Sequence, residues 1–180
     1  MEVSLVERAR SGDRHAFDAL VRDRIDAVYR RSLAILGSPA DAADATQETF
    51  VAAWCHRDSL RDPASFDAWI GRINLNACRT QLRRRGRAGV REVRLLDPDD
   101  DREPASPERP LAERNADADL FDRAFARLSL DERAVLVLHH LQERPVTEIA
   151  AALGTPAGTI KSRLHRARAA LESALAKESR

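Results

Sequence analysis

Residues 97–119 set the strongest limit on what this 180-residue chain can fold into. The stretch Asp97-Pro98-Asp99-Asp100-Asp101-Arg102-Glu103-Pro104-Ala105-Ser106-Pro107-Glu108-Arg109-Pro110 carries four prolines, and the whole segment holds nine acids against three bases. It contains almost no large apolar residue. Such a composition cannot bury enough surface to offset the entropy of ordering it, so the sequence predicts a flexible acidic linker. A coil of this length spans roughly 25 Å, and about 75 Å at full stretch. No single core can run through it. Two domains are expected, 1–96 and 120–180, joined by 97–119.

Both flanking blocks read as helical. Phe17, Leu20, Val21, Ile25, Val28, Leu33 and Leu36 keep a roughly helical period that stops at Gly37-Ser38-Pro39. A second helix is predicted from Ser38–Asp41 to about His56. A third runs from near Ser65 to about Arg85, with Phe66, Ile70, Ile73 and Ala77 on one stripe. Periodicity resumes at Leu120, Phe121, Ala124 and Leu128. Ser129 and Glu132 then form a capping-box signature before Val135, Leu136, Leu138 and Leu141. Strand-like alternation and internal repeats are both lacking. Aromatics make up only 4% of the chain, so the cores must be built from Leu, Ala, Ile and Val. The expected fold class is all-α, with two helical domains.

The last third has the layout of a helix-turn-helix. Thr147-Glu148-Ile149-Ala150-Ala151-Ala152-Leu153 runs into Gly154-Thr155-Pro156, and a base-rich helix follows. Thr155 is the expected N-cap and Pro156 the first helical residue. Ile160, Leu164, Ala167, Leu171 and Leu175 fall on one face, predicted to pack on Leu136, Ile149 and Leu153. Lys161, Ser162, His165, Arg166 and Arg168 then project elsewhere. Lys and Arg suit guanine edges and phosphates, and Ser can pair with several bases. An ordinary charged surface helix is the plain alternative; the turn, the Pro start and the preceding Ala-rich helix together favour DNA binding.

Charge is patterned in the first block as well. Asp41, Asp44 and Glu48 form an acidic stripe, with Phe50 and Trp54 on another face. A docking surface for a basic partner and a solvated face over a buried aromatic pair both fit that pattern. Further on, Arg72, Asn76, Arg79 and Arg83 make a stripe of opposite sign, bordered by Trp69. Arg84, Arg85, Arg87, Arg91 and Arg94 extend it, giving seven Arg in 79–94 against the single acid Glu92. Cations beside an aromatic and an amide are what single-stranded DNA requires: phosphate neutralisation, stacking and edge readout.

The exclusions are equally informative. Cys55 and Cys78 support neither a disulfide framework nor a zinc site. The N-terminus lacks signal-peptide character, and no apolar run approaches a membrane span. The histidines have no metal spacing, and no nucleophile constellation stands out. No cofactor, metal or catalytic residue is expected, and the reading is cytoplasmic.

Taken together, these segments resemble a sigma-70 family RNA polymerase sigma factor of the extracytoplasmic function (ECF, group 4) type. The resemblance rests on Ala16-Phe17-Asp18-Ala19-Leu20-Val21, on Asp41 through Trp54, on Phe66 through Asn76, and on Leu128 through Leu171. The stretch Gly158-Thr159-Ile160-Lys161-Ser162-Arg163-Leu164-His165-Arg166-Ala167-Arg168 is especially close. It covers nearly the whole chain except the linker. Between Asp44 and Gln47, Ala45-Thr46 stand where the family has bulkier apolar residues.

The resemblance implies a promoter-specificity subunit that binds core RNA polymerase, recognises −35 and −10 elements and promotes DNA opening. It implies core-polymerase contacts at Asp41, Asp44, Gln47, Glu48, Phe50 and Trp54. Readout of the melted −10 element would fall to Trp69, Arg72, Asn76, Arg79 and Arg83, with a flipped base held near residues 58–65. Readout of the duplex −35 element would fall to Thr159, Lys161, Ser162, Arg163, His165, Arg166 and Arg168. An anti-sigma partner is left open, membrane insertion is not expected, and a monomer is expected when free of polymerase. The rival readings are a helix-turn-helix regulator with an effector or dimerisation module, and an enzyme. The first would bind palindromic duplex without polymerase.

Overall fold

The computed structural model describes the backbone of residues 2–93 and 116–178, and the side chains of 3–85 and 118–178. The path expected for the linker over 97–115 lies outside the described residues, as do the side chains of Arg87, Arg91 and Arg94. The described chain forms two helical bundles, as expected, and contains no strand.

The first bundle comprises α1 (Glu2–Arg10), α2 (Arg14–Leu36), α3 (Pro39–Cys55) and α4 (Phe66–Val93). Each boundary has a local cause. Asp13 caps α2 by accepting from the Ala16 amide at 3.1 Å, and Arg8 holds that carboxylate at 2.6 Å. Gly37 ends α2 in the left-handed region at φ 68°, a conformation that strains any residue bearing a Cβ. Ser38 then caps α3, with Pro39 in the first turn. Two short 3₁₀ turns, Arg57–Ser59 and Pro63–Ser65, lead into α4. The periodic reading misses α1, which is too short to show a period but buries Val6 and Ala9. It also places Ile25 in the apolar stripe, whereas Ile25 is 41% exposed.

Leu20, Val28, Phe50, Leu60, Phe66, Trp69 and Ile70 fill the core of this bundle. Burial of each large side chain contributes about 1.5–3 kcal/mol. Above them lies a polar knot. The Asn74 amide donates to Ser32 Oγ at 2.8 Å and to Thr49 Oγ1 at 3.2 Å, tying α4 to α2 and α3. Thr49 in turn donates to the Ala45 carbonyl at 2.6 Å. The small residues Ala42, Ala45 and Thr49 are fully buried, so α3 approaches its neighbours closely where Ala45-Thr46 stand.

The second bundle comprises α5 (Ala116–Ala126), α6 (Leu130–Leu136), α7 (Val146–Leu153) and α8 (Ala157–Glu178). α5 starts at Ala116, so four residues expected in the linker are helical. The capping box at Ser129 and Glu132 is present in both directions. α6 continues into a π turn, Val137–Leu141, closed by the Gln142 amide on the Val137 carbonyl at 3.0 Å. That widening rotates Leu141 outward to 63% exposure, against its expected place in the stripe. The predicted seam of α8 is otherwise as read: Ile160, Leu164 and Ala167 are buried against Leu136 and Ile149.

The two bundles also pack on each other. Ile35 and Leu36 of α2 and Leu75, Ala77 and Cys78 of α4 share one apolar cluster with Ala134 and Val137 of α6 and its π turn.

Candidate nucleic-acid interface

The turn before α8 is built by Gly154, whose φ of 60° lets the Thr155 amide return to the Ala150 carbonyl at 3.0 Å. The expected cap does not form. Thr155 instead donates its hydroxyl to the Leu153 carbonyl at 3.2 Å, and α8 begins at Ala157, one residue beyond the predicted start. The Pro156 carbonyl receives the first amides, from Thr159 at 2.9 Å and Ile160 at 3.1 Å. With Ile160, Leu164 and Ala167 buried, Lys161, Ser162, His165, Arg166 and Arg168 are exposed together. Thr159 is half-buried. Arg163 is also half-buried and lies 3.5 Å from Asp131. Arg168 donates to His140 Nε2 at 3.3 Å. His140 is held below its ordinary pKa by partial burial, then by Arg168 and His139.

On α4, Arg72, Asn76 and Arg83 are exposed along one stripe. Arg79 is engaged: it donates to Asn76 Oδ1 at 3.0 Å and to Asp131 Oδ1 at 2.7 Å. Trp69 departs from the expectation. It is only 7% exposed, lies against Phe66 at 5.9 Å, and donates its indole N–H to Ser59 Oγ at 3.1 Å. It is a core residue that pins the 57–65 turns, because its position on α4 faces α1 and α2 rather than the Arg stripe. Arg10 fastens the same turns by donating to the Leu60 and Arg61 carbonyls at 3.4 and 3.3 Å.

On α3 the acidic stripe is partly neutralised from α4. Glu48 pairs with Arg84, and Asp41 lies 3.8 Å from Arg85. Asp44 and Gln47 are exposed and line an open groove with Glu48, Val51, Ala52, Cys55 and His56. Phe50 is 8% exposed and belongs to the core beneath this groove, so it supports the face instead of forming it. Trp54 is half-buried, 5.1 Å from Phe17, with the Arg57 guanidinium 4.8 Å over its ring. Sequence reasoning missed Val51, which is 58% exposed although apolar, and Cys55. Their spacing of seven and eleven residues from Asp44 carried the signal, since both positions repeat its face.

The geometry therefore offers one acidic and two basic surfaces, on α3, α4 and α8. Comparison with known proteins gives them a common context. The profile of sigma-70 region 2 matches residues 20–88, and that of sigma-70 region 4 matches 118–171. The ECF RNA polymerase sigma factor SigE of Mycolicibacterium smegmatis is 37% identical over 175 residues, covering 94% of this chain and 66% of the relative. The RNA polymerase sigma-E factor of Streptomyces coelicolor is 33% identical, covering 88% of this chain and 85% of its own length. Among solved structures, CnrH in complex with the cytosolic domain of CnrY has a TM-score of 0.67 at 29% identity, covering 98% of this chain and 97% of CnrH. The sigma factor RpoE of Bartonella quintana, in complex with the anti-sigma factor NepR, has a TM-score of 0.63 at 27% identity, covering 88% and 96%.

Proposed function

We propose that this chain, which belongs to the sigma-70 family of RNA polymerase sigma factors, ECF type, and serves as a promoter-specificity subunit in transcription initiation, divides that work among its three charged surfaces. The first bundle, within 1–96, is the polymerase-docking and −10 module, and the second, within 120–180, is the −35 module; residues 97–119 connect them. The α3 groove docks core polymerase through Asp44, Gln47 and Glu48, with Val51 giving apolar contact. Arg72, Asn76, Arg79 and Arg83 hold the opened −10 strand. Neutralising phosphates and accepting unpaired bases offsets an unstacking cost of a few kcal/mol. Thr159, Lys161, Ser162, Arg163, His165, Arg166 and Arg168 present the duplex −35 face. The chain performs no chemistry itself.

The observation that carries this reading is the two-sided character of α8. Its Ile160, Leu164 and Ala167 are buried while Lys161, Ser162, His165 and Arg166 are exposed at the start of a helix-turn-helix reading helix. No helix among the described residues is long and apolar enough to cross a membrane. A subunit of polymerase acts where the polymerase is, in the cytoplasm. The complexes formed by CnrH and RpoE favour a protein regulator of anti-sigma type for this chain too.

Reconstituted transcription tests the reading. Purified core polymerase with this protein on a promoter library is expected to start at a defined −35/−10 sequence. Absence of promoter-directed initiation, together with tight palindromic duplex binding by the protein alone, would favour a plain regulator instead. Asp44→Lys with Glu48→Lys is expected to weaken core binding at least tenfold; unchanged binding would remove the α3 groove from the docking surface.

A further inference from the structure

The turns between α3 and α4, Arg57–Ser59 and Pro63–Ser65, are fastened from three sides. From α4, the Trp69 indole donates to Ser59 Oγ at 3.1 Å, and Ser59 donates onward to the His56 carbonyl at 2.7 Å. Within the turns, Arg57 reaches back to the Trp54 carbonyl of α3 at 3.0 Å. From α1, Arg10 Nη1 donates to the Leu60 carbonyl at 3.4 Å and to the Arg61 carbonyl at 3.3 Å. No backbone amide among the described residues reaches either carbonyl, so Arg10 supplies their protein donor. Leu60 is 5% exposed and shares one apolar cluster with Val6 and Ala9 of α1 and with Phe66 and Trp69 of α4. The region 2 profile begins at residue 20, so α1 stands ahead of the segment it matches.

The polar side chains of the turns divide into two groups. Asp62 spends Oδ1 on the Ala64 amide at 3.0 Å and Oδ2 on the Ser65 hydroxyl at 2.8 Å. Asp58 and Arg61 are exposed, and their side chains take no partner among the described residues. The turns thus present one carboxylate acceptor and one guanidinium fork, three residues apart, on backbone that other residues hold still. They lie directly ahead of α4, at the N-terminal end of the stripe formed by Arg72, Asn76 and Arg83. An unpaired base entering there meets groups able to pair with its edge. A guanidinium forks onto the N7 and O6 acceptors of guanine, and a carboxylate accepts from an exocyclic amine. Selection between bases then depends on where the turns stand, because a site mounted about 1 Å too loosely loses its discrimination.

We propose that Arg10 of α1 is a positioning residue for promoter selectivity, holding the 57–65 turns so that Asp58 and Arg61 meet one unpaired base of the −10 strand. This rests on the sigma-factor reading of the first bundle. Arg10 acts through two backbone carbonyls, not through contact with DNA. A Lys at this position keeps a charged donor for them, and an Ala keeps none.

The test uses the full chain with core polymerase on promoter libraries randomised through the −10 element and, separately, through −35. Asp58→Ala and Arg61→Ala identify the −10 position that the turns read. Arg10→Ala is expected to relax base preference at that same position by about three- to tenfold, with −35 preference unchanged. Arg10→Lys is expected to restore most of the preference. Arg10→Ala combined with Arg61→Ala is expected to add little to either change alone, because both act on one contact. Ser59→Ala removes the Trp69 acceptor and is expected to relax the same position. It carries the test if Arg10→Ala does not fold, and an unchanged profile for it then overturns the proposal. A uniform drop in initiation with base preference intact would make Arg10 a purely structural residue and overturn its positioning role. Additive effects of the two substitutions, or changes falling at −35, would overturn it too, as would Asp58→Ala and Arg61→Ala profiles identical to that of the unaltered chain. Promoter-directed initiation by the unaltered chain is read in the same assay, so failure of the sigma-factor reading is seen apart from failure of the positioning role.

Discussion

Asn74 offers the sharpest test of how the first bundle fixes its two charged faces. It is fully buried where α2, α3 and α4 meet, and it spends both amide hydrogens on Ser32 and Thr49. Asn74→Ala removes two hydrogen bonds worth about 1 kcal/mol each in net terms. Asn74 Oδ1 has no partner among the described residues, so deleting it returns about 1 kcal/mol of desolvation cost. The smaller side chain leaves a void worth roughly 1 kcal/mol. The expected destabilisation is therefore about 2 kcal/mol, less than the two bonds and the cavity would suggest together.

Asn74→Asp is expected to be worse, by about 3–5 kcal/mol at pH 8, because it loses both donors and buries a charge. Thr49 cannot help, since its proton is committed to the Ala45 carbonyl. Burial raises the pKa of the new carboxyl above its unfolded value. The folded state then binds more protons than the unfolded one, and stability falls as pH rises between the two values. The gap between the Asp and Ala variants should therefore narrow at pH 5, where a protonated carboxyl can donate one bond. Both tryptophans, Trp54 and Trp69, lie in this bundle, so their fluorescence in urea reports it alone. An Asp variant as stable as the Ala variant at pH 8, or a gap that ignores pH, would refute the account of the knot.

Three further outcomes follow from single sites. Burial pushes the Cys78 thiol up from 9.0 to about 11, so the native bundle should lose stability as pH climbs between those values. Relative to Cys78→Ala, the loss should reach about 2 kcal/mol near pH 10.5, measured by urea unfolding; parallel pH profiles would refute it. Gly154→Ala meets no atom within 4 Å of its new Cβ, so its cost is purely conformational, about 1–2 kcal/mol in the thermal stability of the second bundle. Arg166→Ala should weaken −35 duplex binding by about 1–3 kcal/mol, read by anisotropy, and leave −10 strand binding unchanged.

What could be read from the sequence was whatever a single helix declares about itself. The stop at Gly37-Ser38-Pro39, the capping box at Ser129 and the buried seam of Ile160, Leu164 and Ala167 each depend on residues within one or two turns. Short-range physics writes them directly into spacing. α1 escaped because nine residues give too few repeats for a period. Leu141 escaped because a π turn changes the angular step under an unchanged apolar pattern. Trp69 escaped for a different reason: on α4 it borders the Arg stripe in projection, but which side of that border meets α1 is a tertiary fact.

The cations expose the deepest limit. Arg79 reads from sequence as a strand-binding residue, and nothing local distinguishes it from Arg83. In the fold Arg83 remains exposed while Arg79 reaches an acid 52 positions away, beyond the acidic segment. A charge on a helix face states only that a counter-charge is wanted; phosphate, a partner or the same chain can each supply it. Because a polyanionic partner and Asp131 satisfy the same guanidinium geometry, a DNA-reading surface is also the surface best fitted to fold back on its own acids. In the fold Asp131 takes that place at Arg79 and lies 3.5 Å from Arg163. The net charge of +1 conceals it, because the balance is local to Arg79, Arg163 and Asp131.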